Sequence, residues 1–156
     1  MISTLTVLDD LVARLKNTVK DANIALHPDE INNDYYYFKH PKAEILIGYE
    51  HGKFSDPVDT AAIAQKRTLT FFAFIKARKL NTVSGTYRYV DQVCKSLMNY
   101  SPVSCEPIWL VEDRFAACEG GIWVHKINFA TNTLCVPDIF NSDHSFSEIN
   151  YSEQEI

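Results

Sequence analysis

The block from Lys42 to Arg78 constrains the fold more than any other part of the chain. It holds AEILIGYE, then a polar HGKFSDPVDTAAIAQ, then KRTLTFFAFIKAR, which are two strand-like runs around a turn-rich connection. In the first run Ala43, Ile45, Ile47 and Tyr49 share one face while Glu44, Leu46, Gly48 and Glu50 share the other. This period-two alternation marks a strand with one face in a core. In the second run Leu69, Phe71, Ala73, Ile75 and Ala77 oppose Thr68, Thr70, Phe72, Phe74, Lys76 and Arg78. Both faces are apolar at the centre, as in an inner strand covered on both sides there. The connection from His51 to Gln65 reads as a loop of about fifteen residues, and long loops set on rigid strands are frequent contact surfaces.

Two helices follow from the three-to-four-residue spacing of apolar positions. Leu5, Leu8, Leu11, Val12, Leu15 and Val19 form one stripe, with Asp9 and Asp10 early and Lys16 and Lys20 late, as the helix dipole favours. Tyr87, Val90, Cys94, Leu97 and Met98 form another, with Ser84 as the expected cap and Tyr100-Ser101-Pro102 as the stop. The region Asn23 to His40, with Pro28, Asn32, Asn33 and the aromatic run Tyr35 to Phe38, reads as loop with one short edge strand. Pro107 to Arg114 and Gly121 to Thr131 alternate as two further strands, joined through CEGG by a hairpin or bulged turn in which Gly120 and Gly121 tolerate positive φ. The expected architecture is α+β: a mainly antiparallel sheet of about four to five strands with two helices packed on it.

At 156 residues the chain fits one domain. We place that domain at residues 1–131, where all 15 Lys and Arg balance 15 of the 20 acids. Residues 132–156 carry the other five acids and hence the whole net charge of −5. This segment reads as an acidic C-terminal arm in which Leu134, Val136, Ile139 and Phe140 can make one more contact. A balanced body lacks the clustered cations of a nucleic-acid binder. The longest apolar run, LTFFAFI, is too short for a membrane span, and Asp9 and Asp10 interrupt any signal-peptide pattern, so a cytoplasmic location is expected. Cys94, Cys105, Cys118 and Cys135 form no CxxC pair and read as reduced structural thiols.

Catalytic chemistry finds little purchase in these residues. His27, His40, His51, His125 and His144 match no short metal motif. His125 reads as an imidazole hydrogen-bonded on a sheet face. Asp91 and Cys94 lie one helical turn apart, but a neighbouring carboxylate raises a thiol pKa, so Cys94 reads as a small core residue. GYEHGKF lacks the residue order of a phosphate-wrapping loop, and Asp56 with Asp59 is too small a set for a hard cation. Lys66, Arg67, Lys76, Arg78 and Lys79 sit at the two ends of one strand rather than in one patch. No catalytic, cofactor or metal residue is assigned, and no cofactor is expected.

The wording HPKAEILIGYE, IAQKRTLTFFAFIKARKL and RFAACEGGIWVHKINFAT, from the first helix to about Thr131, resembles a family of tail proteins from Mu-like phages and prophages that is similar to the tail terminators. The resemblance implies a non-enzymatic assembly protein that forms a ring, a hexamer, on the tail tube. Such a ring stops the tube's polymerisation and gives the head a docking surface. Its implied partners are further copies of itself, the tail-tube protein and a head-neck or connector protein, with no membrane and no specific nucleic acid. It would act in the host cytoplasm during assembly and reside in the virion or prophage-derived tail. The implied contact residues are His51, Lys53, Phe54, Asp56 and Asp59 in the polar connection, and Gly120 and Gly121 in the hairpin. The alternatives are another neck or tail-completion protein, or a small enzyme or ligand-binding domain in which several of His40, His51, Asp91 and His125 converge on a pocket.

Overall fold

The computed structural model describes residues 1–29, 42–58 and 62–138. The elements run α1 (Thr4–Thr18), β1 (Asn23–Leu26), β2 (Ala43–Phe54), β3 (Gln65–Ala77), α2 (Thr86–Leu97), β4 (Trp109–Glu119) and β5 (Ile122–Cys135). The strands form one five-stranded sheet in the order β1-β2-β3-β5-β4. All neighbours are antiparallel except β1 and β2. The α+β architecture is the one the alternation of the sequence predicts.

One face of the sheet carries both helices. Val7, Leu11 and Leu15, at every fourth position of α1, are buried in one core with Ala43, Ile45 and Ile47 of β2 and the Leu69 to Ala77 face of β3. Ser3 caps α1 by accepting the Thr6 amide at 3.4 Å. In α2 the buried stripe is Tyr89, Val90, Val93 and Leu97, while Tyr87 and Met98 are exposed. The stripe expected through Tyr87 and Met98 is therefore rotated. Tyr89 rather than Tyr87 turns inward, on the same face as Val93 and Leu97, and its hydroxyl finds a partner there, donating to the Asp21 carbonyl at 3.1 Å. The N-cap is Gly85, not Ser84, and it makes no side-chain cap bond. The opening turn is held instead by Thr86, whose amide and Oγ1 both donate to the Lys79 carbonyl, at 2.9 and 3.0 Å.

The opposite, open face is not covered as completely as the sequence of β3 suggests. Phe71 is fully buried beneath the helices, whereas Phe72 and Phe74 are only half-buried. Phe72 pairs with Gly48, and a Cβ on Gly48 would lie 2.2 Å from that ring. The glycine gives the aromatic its place on the sheet surface.

Three boundaries differ from expectation. His51 to Phe54 continue β2 and pair with Thr70 to Arg67, after a register shift between Tyr49 and His51. The polar connection is thus shorter than the His51–Gln65 span, because backbone pairing with β3 carries these polar residues as strand. β4 runs on to Glu119, and register shifts between Leu110 and Glu112 and between Phe115 and Ala117 change which residues share a face. β5 passes Thr131 and ends at Cys135. The edge strand expected between Asn23 and His40 is Asn23–Leu26, parallel to β2. Tyr35 to Phe38, His40, Ile139, Phe140, His144 and residues 141–156 lie outside the described residues.

Candidate assembly surfaces

The two segments singled out from the sequence stand at opposite ends of the sheet. Phe54 pairs with Arg67 near the start of β3, and Trp123 pairs with Ala77 at its end. Those ten steps along β3 span about 33 Å at ~3.3 Å per residue. The β2–β3 hairpin and the β4–β5 hairpin therefore project in opposite directions.

At the β2–β3 end, His51, Lys53, Phe54 and Asp56 are all exposed. His51 Nδ1 lies 3.7 Å from Glu50 Oε2. Phe54 is 54% exposed, with the Arg67 guanidinium 5.8 Å from its ring centre. Arg67 is itself anchored, donating to the Tyr49 hydroxyl at 3.0 Å and to Thr4 Oγ1 at 3.3 Å. Val58 and Ile63 extend this end with exposures of 68% and 53%. The turn is tied by the Ser55 amide to the Lys66 carbonyl and by the Val58 amide to the Ala64 carbonyl, each at 2.8 Å. Asp59 lies outside the described residues.

At the other end Glu119 pairs with Ile122, and the two-residue turn between them is Gly120 and Gly121. Their φ values of +57° and +75° are those of a primed hairpin turn, which glycine adopts without steric cost. Both are exposed, with nothing within 4 Å of where a Cβ would stand. Beside the turn Phe115 and Trp123 pack at 6.2 Å between ring centres, and Tyr87 meets His125 edge-on at 6.4 Å. Phe115 and Tyr87 are at least half exposed. Sequence reasoning found the glycines but missed this aromatic surround. Phe115 and Trp123 stand on the two arms of the hairpin, and Tyr87 in the first turn of α2.

A third feature lies on the open face. Lys126 Nζ donates to Glu50 Oε1 at 2.6 Å and stands 5.6 and 5.9 Å above the rings of Phe72 and Phe74. Asn128 donates to Glu50 Oε2 at 3.0 Å. The Lys126 hydrogen bond, with further help from Lys126's charge and Asn128, holds the Glu50 carboxyl below the usual carboxylate range despite some burial.

The residues weighed for catalysis do not converge. His51 pairs with Thr70 and His125 with Ile75, five steps away on β3, and they face opposite sides of the sheet. Asp91 is exposed on α2, and His40 lies outside the described residues. His125 is buried, with Nε2 3.3 Å from Asp113 Oδ1. Because a carboxylate only accepts, that nitrogen carries the proton. A cleft of about 210 Å³ runs between α2 and β4, lined by Cys94, Leu110, Asp113 and Ile127. Burial, then Asp113 and Asp91, push the Cys94 thiol up, which disfavours the thiolate that a nucleophile needs. Among the described residues no three His, Cys, Asp or Glu side chains gather as a metal site, and no helix is long and apolar enough to cross a membrane.

The family model described as Gp37 protein matches residues 11–153, and the chain belongs to this family of phage proteins. No curated protein matches it.

Proposed function

We propose that this Gp37-family protein is a tail terminator: a subunit that closes into a ring on the end of the tail tube, stops its growth and presents a docking surface to the head. Membership of a phage structural and assembly family is the premise. The observation that carries the finer reading is the polarity of the sheet. One rigid five-stranded layer holds exposed apolar residues at both ends, Phe54, Val58 and Ile63 at one and Phe115 and Tyr87 at the other.

A terminator needs two unlike surfaces set apart by a stiff body, because it must grip the tube on one side and refuse further tube subunits on the other. A closed cyclic interface supplies the stop without any covalent step, since a complete ring leaves no growing edge. In this reading six copies form the ring. The β2–β3 end, with His51, Lys53, Phe54, Asp56 and Asp59, and the β4–β5 end, with Gly120 and Gly121, supply the contacts. The tail-tube protein and a head-neck or connector protein are the partners, met in the host cytoplasm and retained in the tail.

Native mass spectrometry of the purified protein, alone and mixed with the tube protein of the same phage, tests this. In the mixture, a closed ring that binds tube ends and blocks their elongation is expected. Tubes that elongate unchanged in a molar excess of the protein overturn the terminator reading.

A further inference from the structure

β4 is the longest exposed edge among the described residues: along Trp109–Glu119 only Leu110 and Ala117 are even partly buried. Its inner edge pairs with β5, and among the described residues no strand pairs with its outer edge. Exposed apolar residues stand along it, Trp109 at 41% and Val111 and Phe115 at 55% each. An exposed strand of this length with apolar side chains is a ready template for strand addition.

We propose that the outer edge of β4 pairs antiparallel with the β4 of a second copy about a two-fold axis at Asp113. Charge selects both the partner and the register. Between its two register shifts β4 is regular from Glu112 to Phe115. Glu112 lies opposite Asn128 and Arg114 opposite Lys126, so both side chains are on the open face. Two-fold pairing centred on Asp113 sets Glu112 of each copy against Arg114 of the other. Moving the centre one residue either way places Glu112 against Glu112 or Arg114 against Arg114, and like charges directly opposite are unfavourable.

The two Asp113 carboxylates meet at the axis, each already accepting a hydrogen bond from its own His125. That like-charge approach keeps the contact weak and reversible. The pairing is isologous and closes at two copies, so it differs from the head-to-tail contact of a ring. It covers the β4 edge of the unassembled subunit, and it stands independently of the terminator reading.

Sedimentation across a concentration series tests the pairing. The wild type is expected to self-associate reversibly to twice its mass. Glu112→Arg and Arg114→Glu should each weaken that step about tenfold or more, by turning two attractions into repulsions. The double variant, which restores opposite charges, should recover it. Both side chains are exposed, so melting temperatures should stay level. If Arg114→Glu lowers stability, Arg114→Gln replaces it, with a smaller weakening expected. A wild type that is monomeric throughout, association that ignores both single changes, or a double variant as weak as the singles overturns the pairing. A ring built through other surfaces keeps its mass through all these variants, so the two readings fail separately.

Discussion

Lys126 reaches across β3 to Glu50: its ammonium donates to Oε1 at 2.6 Å, over the rings of Phe72 and Phe74. The pair joins β5 to β2 on the face that carries no helix. Because the folded carboxyl is held below its ordinary value, its contribution is present above the unfolded pKa of about 4.3 and is lost as pH falls through the lower folded value. Glu50→Gln should cost about 1 kcal/mol at neutral pH, a figure already reduced for the solvent exposure of Glu50. The difference from wild type should shrink as the pH is lowered below the unfolded pKa, as read by urea melts at several pH values. A gap that does not shrink on acidification means that the pair is not ionic in the folded protein.

Phe71 and Phe74 lie on opposite faces of β3 and should respond differently to charge. Phe71 is fully buried and stacks on Phe129 at 5.7 Å, so Phe71→Asp should cost several kcal/mol and abolish soluble expression. Phe74 is half-buried beside the Lys126 ammonium, and Phe74→Asp should cost only about 1–2 kcal/mol. Equal melting of the two variants contradicts this assignment of faces.

The contrast within β3 shows what alternation can reveal. Which residues share a face was readable because side chains alternate along a strand whatever lies above it. How well each face is covered was not, since that depends on where the helices land. The same limit explains α2. Tyr87 and Tyr89 are identical in hydrophobicity, and the inward one shares its face with Val93 and Leu97 and donates to the distant Asp21 carbonyl at 3.1 Å, a partner that local spacing does not reveal. His51 to Phe54 looked like loop because propensity is local, whereas the pairing that makes them strand comes from β3. β1 is four residues long, too short for any periodicity to declare itself. The glycine turn was legible, because two adjacent glycines between alternating runs have a steric meaning of their own. The exposed rings around it were not, since exposure is a property of the finished surface.

Cys94 and Cys118 should differ sharply toward thiol reagents. Cys118 is exposed near the β4–β5 turn, while Cys94 is half-buried with its thiol pushed up by burial and two carboxylates. Labelling at neutral pH, followed by mass spectrometry, should modify Cys118 first and Cys94 far more slowly. Cys94→Ala and His125→Ala should shift melting alone and leave assembly unchanged. A fast-labelling Cys94, or turnover of any substrate lost with either change, contradicts a structural role for the α2–β4 cleft.

The central claim is that this protein ends the tail tube. The length distribution of tails by electron microscopy tests it most directly, in phage lacking the gene and complemented with wild type or with Val58→Asp combined with Ile63→Asp. Both residues are exposed at the β2–β3 end, so the double variant should fold and melt like wild type. We expect the gene deletion to give overlong, headless tubes, wild type to restore one length with heads attached, and the double variant to fail in restoring it. Tails of normal length bearing heads in the absence of the protein contradict the claim.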